Sequence, residues 1–257
     1  MLVVRSLLFG AVFYTVLIGY LLITWPAYFL PRRLSWRVVI SWARVSLWLQ
    51  RVIVGTKVTY RGVENLPAGG YLVASKHQAM WETFALIPCF PYATFVLKKE
   101  LMKIPIFGWA MKRMGMIAVD REAGRKALVG MAADSRAAVA RGEQVIIFPE
   151  GTRQVPGAAP DYKPGIALLY RDLGVPCVPV ALNSGLYWPR RTNLRHPGTI
   201  VVEFLPPIPP GLPRADFMAR LEADIETASR QLVAEAAASP NPPPIPLVAR
   251  EDAQAKL

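Results

Sequence analysis

Residues 144–153 read QVIIFPEGTR, in which an apolar run breaks into a Pro-Glu-Gly turn and ends on an arginine. The run up to residue 148 predicts a buried β-strand, and the turn predicts where that strand ends. Gly151 would let the backbone approach a ligand closely, and the guanidinium of Arg153 can bind a phosphate through two parallel hydrogen bonds. A strand-ending turn with a surface arginine is the alternative, so the function of this stretch depends on what surrounds it.

Apolar runs of strand length recur on both sides of this stretch, with helical segments between them. The predicted strands cover 57–60, 71–74, 94–97, 116–119, 144–148, 177–182 and 199–204. The predicted helices cover 81–87, 105–113, 124–140 and 165–172, with a final amphipathic helix over 212–238. This alternation predicts an α/β fold, a mixed and mostly parallel sheet flanked by helices on both faces. Ligands bind at the carboxyl ends of the strands in such sheets, which is where residues 149–153 fall.

His77 is one of only two histidines in the chain, and Glu82 follows it in SKHQAMWETF. An imidazole beside a carboxylate can act as a general base near neutral pH. On one regular helix the two side chains would diverge by about 140°. They converge if His77 lies in a loop after the strand over 71–75 and Glu82 in the first turn of the next helix. A chance spacing is the alternative for this pair taken alone.

The composition is basic and apolar, with a formal charge of +12 and 53% hydrophobic residues. Such a charge favours a polyanionic neighbour, which is nucleic acid, an anionic lipid surface or a phosphorylated substrate. The high apolar content favours a membrane, and no nucleic-acid partner is expected. Cys89 and Cys177 lack the spacing of metal ligands, which predicts free thiols in a reducing compartment and no metal site.

The N-terminus carries no charged residue from Ser6 to Pro31, a run long enough to span a bilayer. A secretory signal peptide is the alternative, but its apolar region would be shorter and no small-x-small cleavage site is evident. Arg32, Arg33 and Arg37 after the run outnumber the charges before it. The positive-inside tendency therefore predicts that the rest of the chain lies in the cytoplasm.

A second N-terminal helix is predicted over 34–55, where an arginine recurs every seven residues at Arg37, Arg44 and Arg51. Four of the seven tryptophans lie between residues 25 and 48, which favours a helix at the lipid headgroup level. A helix packed on the domain and a two-helix hairpin in one leaflet remain alternatives. The predicted organisation is membrane-anchoring helices over 1–55, one domain over 56–238, and a Pro-rich tail over 239–257 that we expect to be disordered.

Two further features point to a phosphate-bearing ligand and a buried strand. The stretch between residues 98 and 126 contains eight basic residues and three acidic ones. A solvated basic face explains most of the lysines, but Arg121 directly follows a predicted strand and favours phosphate contact. The prolines of VPCVPV, Pro176 and Pro179, are typical of an edge strand or a strand start. We expect Pro179 to shape the floor of the site.

Four stretches, KHQAMWE, GMIAVDR, IFPEGTR and VPCVPVAL, resemble in order and spacing the four sequence blocks of the glycerolipid acyltransferase family, in its bacterial lysophosphatidic acid branch. The resemblance covers residues 57–205, and the N-terminal helices also resemble those of bacterial members. It implies that His77 takes the proton from an acceptor hydroxyl, with Glu82 standing where the family usually has aspartate. The substrate-binding positions that it implies are Lys98, Lys99, Arg121, Glu150, Gly151, Thr152, Arg153 and Pro179.

The implied activity is transfer of a fatty acyl group from acyl-CoA or acyl carrier protein to the sn-2 hydroxyl of 1-acyl-glycerol-3-phosphate, giving phosphatidic acid for phospholipid biosynthesis. Backbone N–H groups near the His77 loop are expected to stabilise the oxyanion, and no metal or bound cofactor is expected. The expected location is the inner (cytoplasmic) membrane, with the catalytic domain on its cytoplasmic face.

Several alternatives to this activity remain. The acceptor could be glycerol 3-phosphate or a lyso-aminolipid. A thioesterase would use the same histidine to activate water, and a non-catalytic lipid-binding protein would use only the basic surface. A covalent route through Cys89 is disfavoured because no basic partner lies close to it in sequence.

Overall fold

A computed structural model of the chain describes residues 1–23, 25–29, 31–120 and 124–247. All seven predicted strands are present, with ends that differ from the prediction by at most one residue. They are β1 Thr56–Arg61, β2 Tyr71–Ser75, β3 Ala93–Lys98, β4 Ile117–Val119, β5 Gln144–Ile147, β6 Cys177–Leu182 and β7 Gly198–Phe204.

The strands form one seven-stranded sheet in the order β1-β7-β6-β2-β5-β3-β4. Every neighbouring pair is parallel except β6 and β7, so the predicted mixed, mostly parallel sheet is confirmed. Five adjacent strands, from β6 to β4, therefore end at the same edge of the sheet. The loops that follow these five strands converge at that edge, which is where a ligand site is expected in such a sheet.

Eight α-helices accompany the strands in the described part of the chain. They are α1 Leu2–Ile23, α2 Arg32–Leu49, α3 Glu82–Ala85, α4 Phe107–Arg113, α5 Gly124–Ala140, α6 Gly165–Leu173, α7 Ser184–Tyr187 and α8 Arg214–Ala237. The helix predicted over 81–87 is shorter because Pro88 removes a backbone donor and the chain continues as a 3-10 turn over Ile87–Cys89. The helix predicted over 105–113 begins later because Ile106 has a φ of 63°.

Helices cover both faces of the sheet, as alternate residues of β2 show. Val73 belongs to a core cluster that includes residues of α1, α2 and α3. Leu72 and Ala74 belong to a second cluster that includes residues of α5, α6 and α8. Because successive strand residues point to opposite faces, a strand buried on both faces has to be apolar throughout, and β2 is fully buried.

The second N-terminal helix, α2, packs on the domain, which is the alternative that the sequence left open. Trp36 is buried 6.2 Å from the ring of Tyr92, and Trp42 lies 5.7 Å from Phe84. The arginine stripe of α2 is exposed on the opposite side. Part of the apolar face of this helix therefore packs on the domain, while Leu34 and Trp48 remain exposed.

Helix α1 is the one segment of the described residues that is long and apolar enough to cross a membrane, and 17% of it is buried. Phe9 and Phe13 on one side pack against Trp188, with ring centroids 5.5 and 6.0 Å apart. The other side leaves large apolar side chains exposed. These are Val3, Val4, Leu7, Leu8, Tyr14, Ile18 and Leu22.

The chain beyond α8 continues over the domain surface as far as the structure describes it. Ile245 packs against the first core cluster, and Pro243 is buried. Residues 248–257 of the predicted tail lie outside the described residues, so its disorder stays a prediction.

Candidate active site

The loop after β2 and the loop after β5 lie side by side because these two strands are parallel neighbours. The first loop carries His77, and the second carries the stretch from Phe148 to Arg153. The sequence placed both at strand ends, and the structure brings them into direct contact.

His77 is fixed by the β5 loop through three contacts. Its ring stacks on that of Phe148, with centroids 4.0 Å apart and an interplanar angle of 17°. Its backbone N–H donates to Glu150 Oε2 at 3.3 Å, and its carbonyl accepts from the backbone N–H of Gln154 at 2.8 Å. The loop after β5 therefore anchors the histidine on both sides of its Cα.

Glu82 is the first residue of α3, and it is completely buried. Its Oε1 lies 3.5 Å from His77 Nδ1, close enough to stabilise an imidazolium electrostatically. The same oxygen accepts hydrogen bonds from the backbone N–H groups of Gln78 and Ala79. The additional methylene of glutamate thus lets the carboxylate fold back over its own loop while still facing the imidazole. Nδ1 faces Glu82, which leaves Nε2 as the nitrogen for proton transfer.

Three N–H groups of the His77 loop, where we expected oxyanion donors, are already engaged within the protein. Those of His77, Gln78 and Ala79 are each used by a carboxylate, from Glu150 or Glu82. The carboxylates of Glu150 and Glu82 hold the loop in place, and they occupy these three N–H donors.

Glu150 has a different environment from the substrate-contacting one that the resemblance implied. Its side chain is completely buried, and Oε1 accepts a hydrogen bond from Lys76 Nζ at 2.7 Å. Burial raises the pKa of Glu150, and the ammonium of Lys76 acts in the opposite direction. Both oxygens of Glu150 are engaged by protein groups, so this carboxylate contributes to the shape of the site.

Gly151 has a φ of 66°, a conformation that glycine adopts easily, and its N–H donates to the carbonyl of Phe148. The turn delivers Thr152 and Arg153 to the exposed edge of the sheet. Arg190, which the sequence did not single out, donates from its guanidinium to the carbonyl of Arg153. Two arginines therefore lie together at this edge.

The lysines at the end of β3 lie at the same edge of the sheet. Lys98 and Lys99 are exposed, and Lys99 pairs with Asp120 at 3.0 Å. Arg121 lies outside the described residues, so its phosphate contact stays a prediction.

Pro179 lies in β6, which is an interior strand between β7 and β2. The prediction that its strand lies at the edge of the sheet is therefore wrong. It is opposite Ala74 of β2, but its backbone faces β7. There the ladder begins only at Val180, and the carbonyl of Pro179 accepts from the N–H of Leu205 at 3.0 Å. The missing N–H therefore removes no ladder bond, which explains how an interior strand tolerates proline.

Five residues at this site received no role of their own from the sequence: Lys76, Phe148, Gln154, Arg190 and Glu226. The signal for Lys76 was present, because a lysine that closes a fully apolar strand needs a buried counter-charge. Glu226 gave no such signal, since it lies on α8, one hundred and fifty positions from the lysine that it contacts.

Cys89 is a poor nucleophile in this structure. Burial raises the pKa of its thiol to about 12, with the hydroxyl of Tyr60 acting in the opposite direction. A thiol with this pKa is almost entirely protonated at neutral pH, which removes support from a covalent route. Among the described residues there is no group of three or more His, Cys, Asp or Glu side chains placed to hold a metal ion.

These features define a class of α/β protein in which a carboxylate-backed histidine and an arginine-bearing turn meet at the strand ends. Residues 57–183 match the family model described as Acyltransferase. A 1-acyl-sn-glycerol-3-phosphate acyltransferase of Pseudomonas aeruginosa is 40% identical over 174 residues, which are 67% of this chain and 68% of that protein. The chain belongs to the acyltransferase family.

More distant relatives and a solved structure agree with this assignment. The 1-acyl-sn-glycerol-3-phosphate acyltransferase alpha of Mus musculus is 27% identical, over 64% of this chain and 59% of that protein. A chloroplastic one of Brassica napus is 31% identical, over 55% of this chain and 40% of that protein. The crystal structure of PlsC, the 1-acyl-sn-glycerophosphate acyltransferase of Thermotoga maritima, superposes with a TM-score of 0.77 at 21% identity. The match covers 90% of this chain and 98% of that one, so the two share a fold.

Proposed function

We propose that the protein transfers a fatty acyl group from acyl-CoA or acyl carrier protein to the sn-2 hydroxyl of 1-acyl-glycerol-3-phosphate. The product is phosphatidic acid, an intermediate of phospholipid biosynthesis. The observation that carries the proposal is the His77–Glu82 pair, 3.5 Å apart and clamped beside the arginine-bearing turn. The names of the relatives at 40% and 27% identity support the same acceptor.

The transfer proceeds in one displacement at the thioester. Nε2 of His77 takes the proton of the acceptor hydroxyl as its oxygen attacks the thioester carbonyl. The tetrahedral intermediate collapses, the carbon–sulfur bond breaks, and the thiolate receives the proton from the imidazolium. Glu82 stabilises the imidazolium while it exists and keeps Nδ1 turned inward.

Binding of the acceptor phosphate orients the acceptor hydroxyl toward His77 in this proposal. Arg153 is exposed at the same edge as His77 and offers a bidentate donor pair. Lys98, Lys99 and Arg121 add positive charge in this proposal, and Thr152 adds a hydroxyl. Fixing the phosphate makes the attack effectively intramolecular, which lowers its entropic cost.

Membrane attachment through α1 is part of the proposal. Its outward side exposes apolar residues, and the exposed aromatic side chains Trp25, Phe29 and Trp109 cluster with centroids 5.2 to 6.1 Å apart. An apolar cleft of about 400 Å³ separates α1 from residues 101–107, and every residue that lines it is apolar. These surfaces suit lipid chains at the inner (cytoplasmic) membrane, with the domain on its cytoplasmic face. We retain anchoring helices over 1–55, a catalytic domain over 56–238 and a tail over 239–257 as the proposed organisation.

One assay tests the proposal. The purified protein in detergent is given lysophosphatidic acid or glycerol 3-phosphate, each with acyl-CoA and with acyl carrier protein, and lipid products are separated by chromatography. We expect phosphatidic acid from lysophosphatidic acid. Free fatty acid without an acylated acceptor would identify a thioesterase, and no release from either donor would overturn the enzymatic assignment.

A further inference from the structure

A group of charged side chains lies buried behind the candidate active site. Lys76 Nζ donates to Glu150 Oε1 at 2.7 Å and to Glu226 Oε1 at 2.6 Å, and the hydroxyl of Tyr162 donates to the same Glu226 oxygen at 3.0 Å. The side chains of Lys76, Glu150 and Glu226 are 2%, 0% and 12% exposed. We call these four residues the Lys76 network.

Burying these charges carries a large desolvation cost, of several kcal/mol per ion even after relaxation. Apolar residues of similar volume would stabilise the fold as well or better, so packing alone does not explain the network. Its members are instead well matched in hydrogen bonding. The ammonium reaches two carboxylates, and one of these receives a hydroxyl as well.

The network is connected to the candidate base through Glu150. While Oε1 of Glu150 holds Lys76, its Oε2 accepts the backbone N–H of His77 at 3.3 Å. A continuous path of hydrogen bonds therefore runs from Glu226 on α8, through Lys76 and Glu150, to the backbone of His77. Its far end lies outside residues 57–183, the part of the chain that matches the family model.

We propose that Lys76 and Glu226 are positioning residues, which orient Glu150 so that it holds the His77 loop in the geometry for proton transfer. This inference rests on the proposed acyl transfer at His77. Without Glu226, the Lys76 ammonium turns toward Glu150 alone, and the Glu150 carboxylate shifts away from the N–H of His77. The helix at the end of the domain thereby becomes part of the catalytic apparatus.

The primary test is Glu226→Gln, which removes a charge and keeps the shape. We expect kcat to fall between about 10- and 100-fold, since a displacement of a reacting group by about 1 Å costs that much. The KM values for donor and acceptor should stay within about twofold, because no residue of the network contacts substrate in the proposed mechanism. The matched control is Glu235→Gln on the same helix, where the glutamate pairs with Arg61 at the surface. The control should keep wild-type kcat.

Two further variants separate positioning from folding. Tyr162→Phe removes only the hydroxyl that orients Glu226, and it should lower kcat by a smaller factor. Lys76→Met should lower kcat at least as far as Glu226→Gln, and the double variant should be no slower than Lys76→Met alone, because residues that act through one path are not additive. Wild-type kcat in Glu226→Gln, or multiplicative losses in the double variant, would overturn the proposal.

Amide hydrogen exchange tests the network without relying on turnover. Glu226→Gln should speed exchange in peptides covering residues 76–82, while peptides from the rest of α8 keep wild-type protection. If the wild-type protein transferred no acyl group but this change in exchange appeared, the proposed function would fail and the network would stand. Unchanged exchange in residues 76–82 would overturn the network itself.

Discussion

The imidazole of His77 has two nitrogens in different surroundings. Nδ1 is buried and faces a carboxylate that is itself fixed by two backbone N–H groups. The ring is stacked on Phe148, so it cannot rotate without losing that contact. The stacking therefore fixes the direction of the ring, and the nearby carboxylate favours a protonated Nδ1.

Replacing His77 with alanine removes the proposed base. We expect kcat to fall by about 10²- to 10⁴-fold, the usual contribution of general-base catalysis. The measurement is radiolabel transfer from acyl-CoA to lysophosphatidic acid by purified protein. His196→Gln, at the other histidine, is the control and should keep most of the activity. Near wild-type turnover in His77→Ala would exclude His77 as the base.

Two replacements of Glu82 test the charge of its carboxylate and the length of its side chain separately. Glu82→Gln keeps an oxygen for the N–H groups of Gln78 and Ala79 but loses the charge facing His77, and we expect kcat to fall about 10-fold or more. Glu82→Asp keeps the charge but draws the carboxylate back by about 1.5 Å, and it should also be slow. Glu64→Gln, on an exposed turn, is the control. A fully active Glu82→Gln would show that the charge has no catalytic role.

Replacing Arg153 tests the phosphate site. Arg153→Ala should raise the acceptor KM about 10-fold or more with a smaller change in kcat, because it removes a bidentate phosphate contact. Arg153→Lys should restore only part of the affinity, since an ammonium lacks the planar pair of donors. Steady-state kinetics with varied lysophosphatidic acid provide the comparison, and Arg171→Ala on an exposed surface is the control. An unchanged KM would remove Arg153 from the acceptor site.

The sequence predicted the place of single residues in the fold wherever a backbone pattern located them. His77, Glu82 and the turn at Gly151 all follow from strand ends and turn chemistry. Glu150 was harder, because a glutamate in a loop is usually solvated and nothing local shows that this one is buried. Lys76 gave a local signal, but its partner Glu226 depends on the packing of α8 against the sheet, which no local pattern encodes.

At the scale of elements, the strands were predictable because each is an apolar run of the right length between turn residues. The two N-terminal helices show the limit. An amphipathic helix has the same pattern whether its apolar face covers a sheet or enters a bilayer, so α2 could not be placed from its sequence. In the structure Trp36 and Trp42 pack on the domain, whereas Trp48 of the same helix is exposed.

Helix α2 is also tied to the sheet through Glu143, which precedes β5. Its carboxylate accepts from Arg32 at the start of α2, and from Arg141 and Thr94. Burial by itself raises the pKa of Glu143, but these hydrogen bonds together outweigh burial and lower the pKa to about 2. Because the unfolded pKa is near 4.3, the stabilisation is fully present above that pH and is lost as the pH falls through 2.

The corresponding prediction is a loss of stability in Glu143→Gln. We expect about 2–3 kcal/mol at pH 7, shrinking toward zero as the pH is lowered from about 4 to 2. Thermal unfolding in detergent, followed by circular dichroism over this pH range, measures the difference from wild type. Glu235→Gln, which breaks a half-exposed ion pair, should cost less than about 1 kcal/mol. A difference that did not change with pH would contradict the assignment of the stabilisation to this carboxylate.

At the scale of the whole molecule, charge and apolar surface predict binding to anionic vesicles. The chain carries a formal charge of +12, so binding to phosphatidylglycerol vesicles should exceed binding to phosphatidylcholine vesicles and weaken with salt. The double variant Val4→Glu and Leu8→Glu places two charges on the exposed side of α1 and should reduce flotation with either vesicle about 10-fold. Leu247→Glu, at an exposed apolar residue elsewhere, is the control. Flotation of the α1 variant like wild type would exclude α1 as the anchor.

The docking of α1 has a consequence for how the protein is made. Ser6 exchanges hydrogen bonds with the backbone of Arg195, which lies 189 positions later, and Phe9 packs on Trp188. At synthesis rates of about 5–20 residues per second, these partners leave the ribosome between about 10 and 40 seconds after α1 does. Throughout that interval the face of α1 that carries Ser6 and Phe9 lacks these partners, so α2, a bilayer or a chaperone has to shelter it. The first helix to be translated is therefore among the last to reach its final contacts.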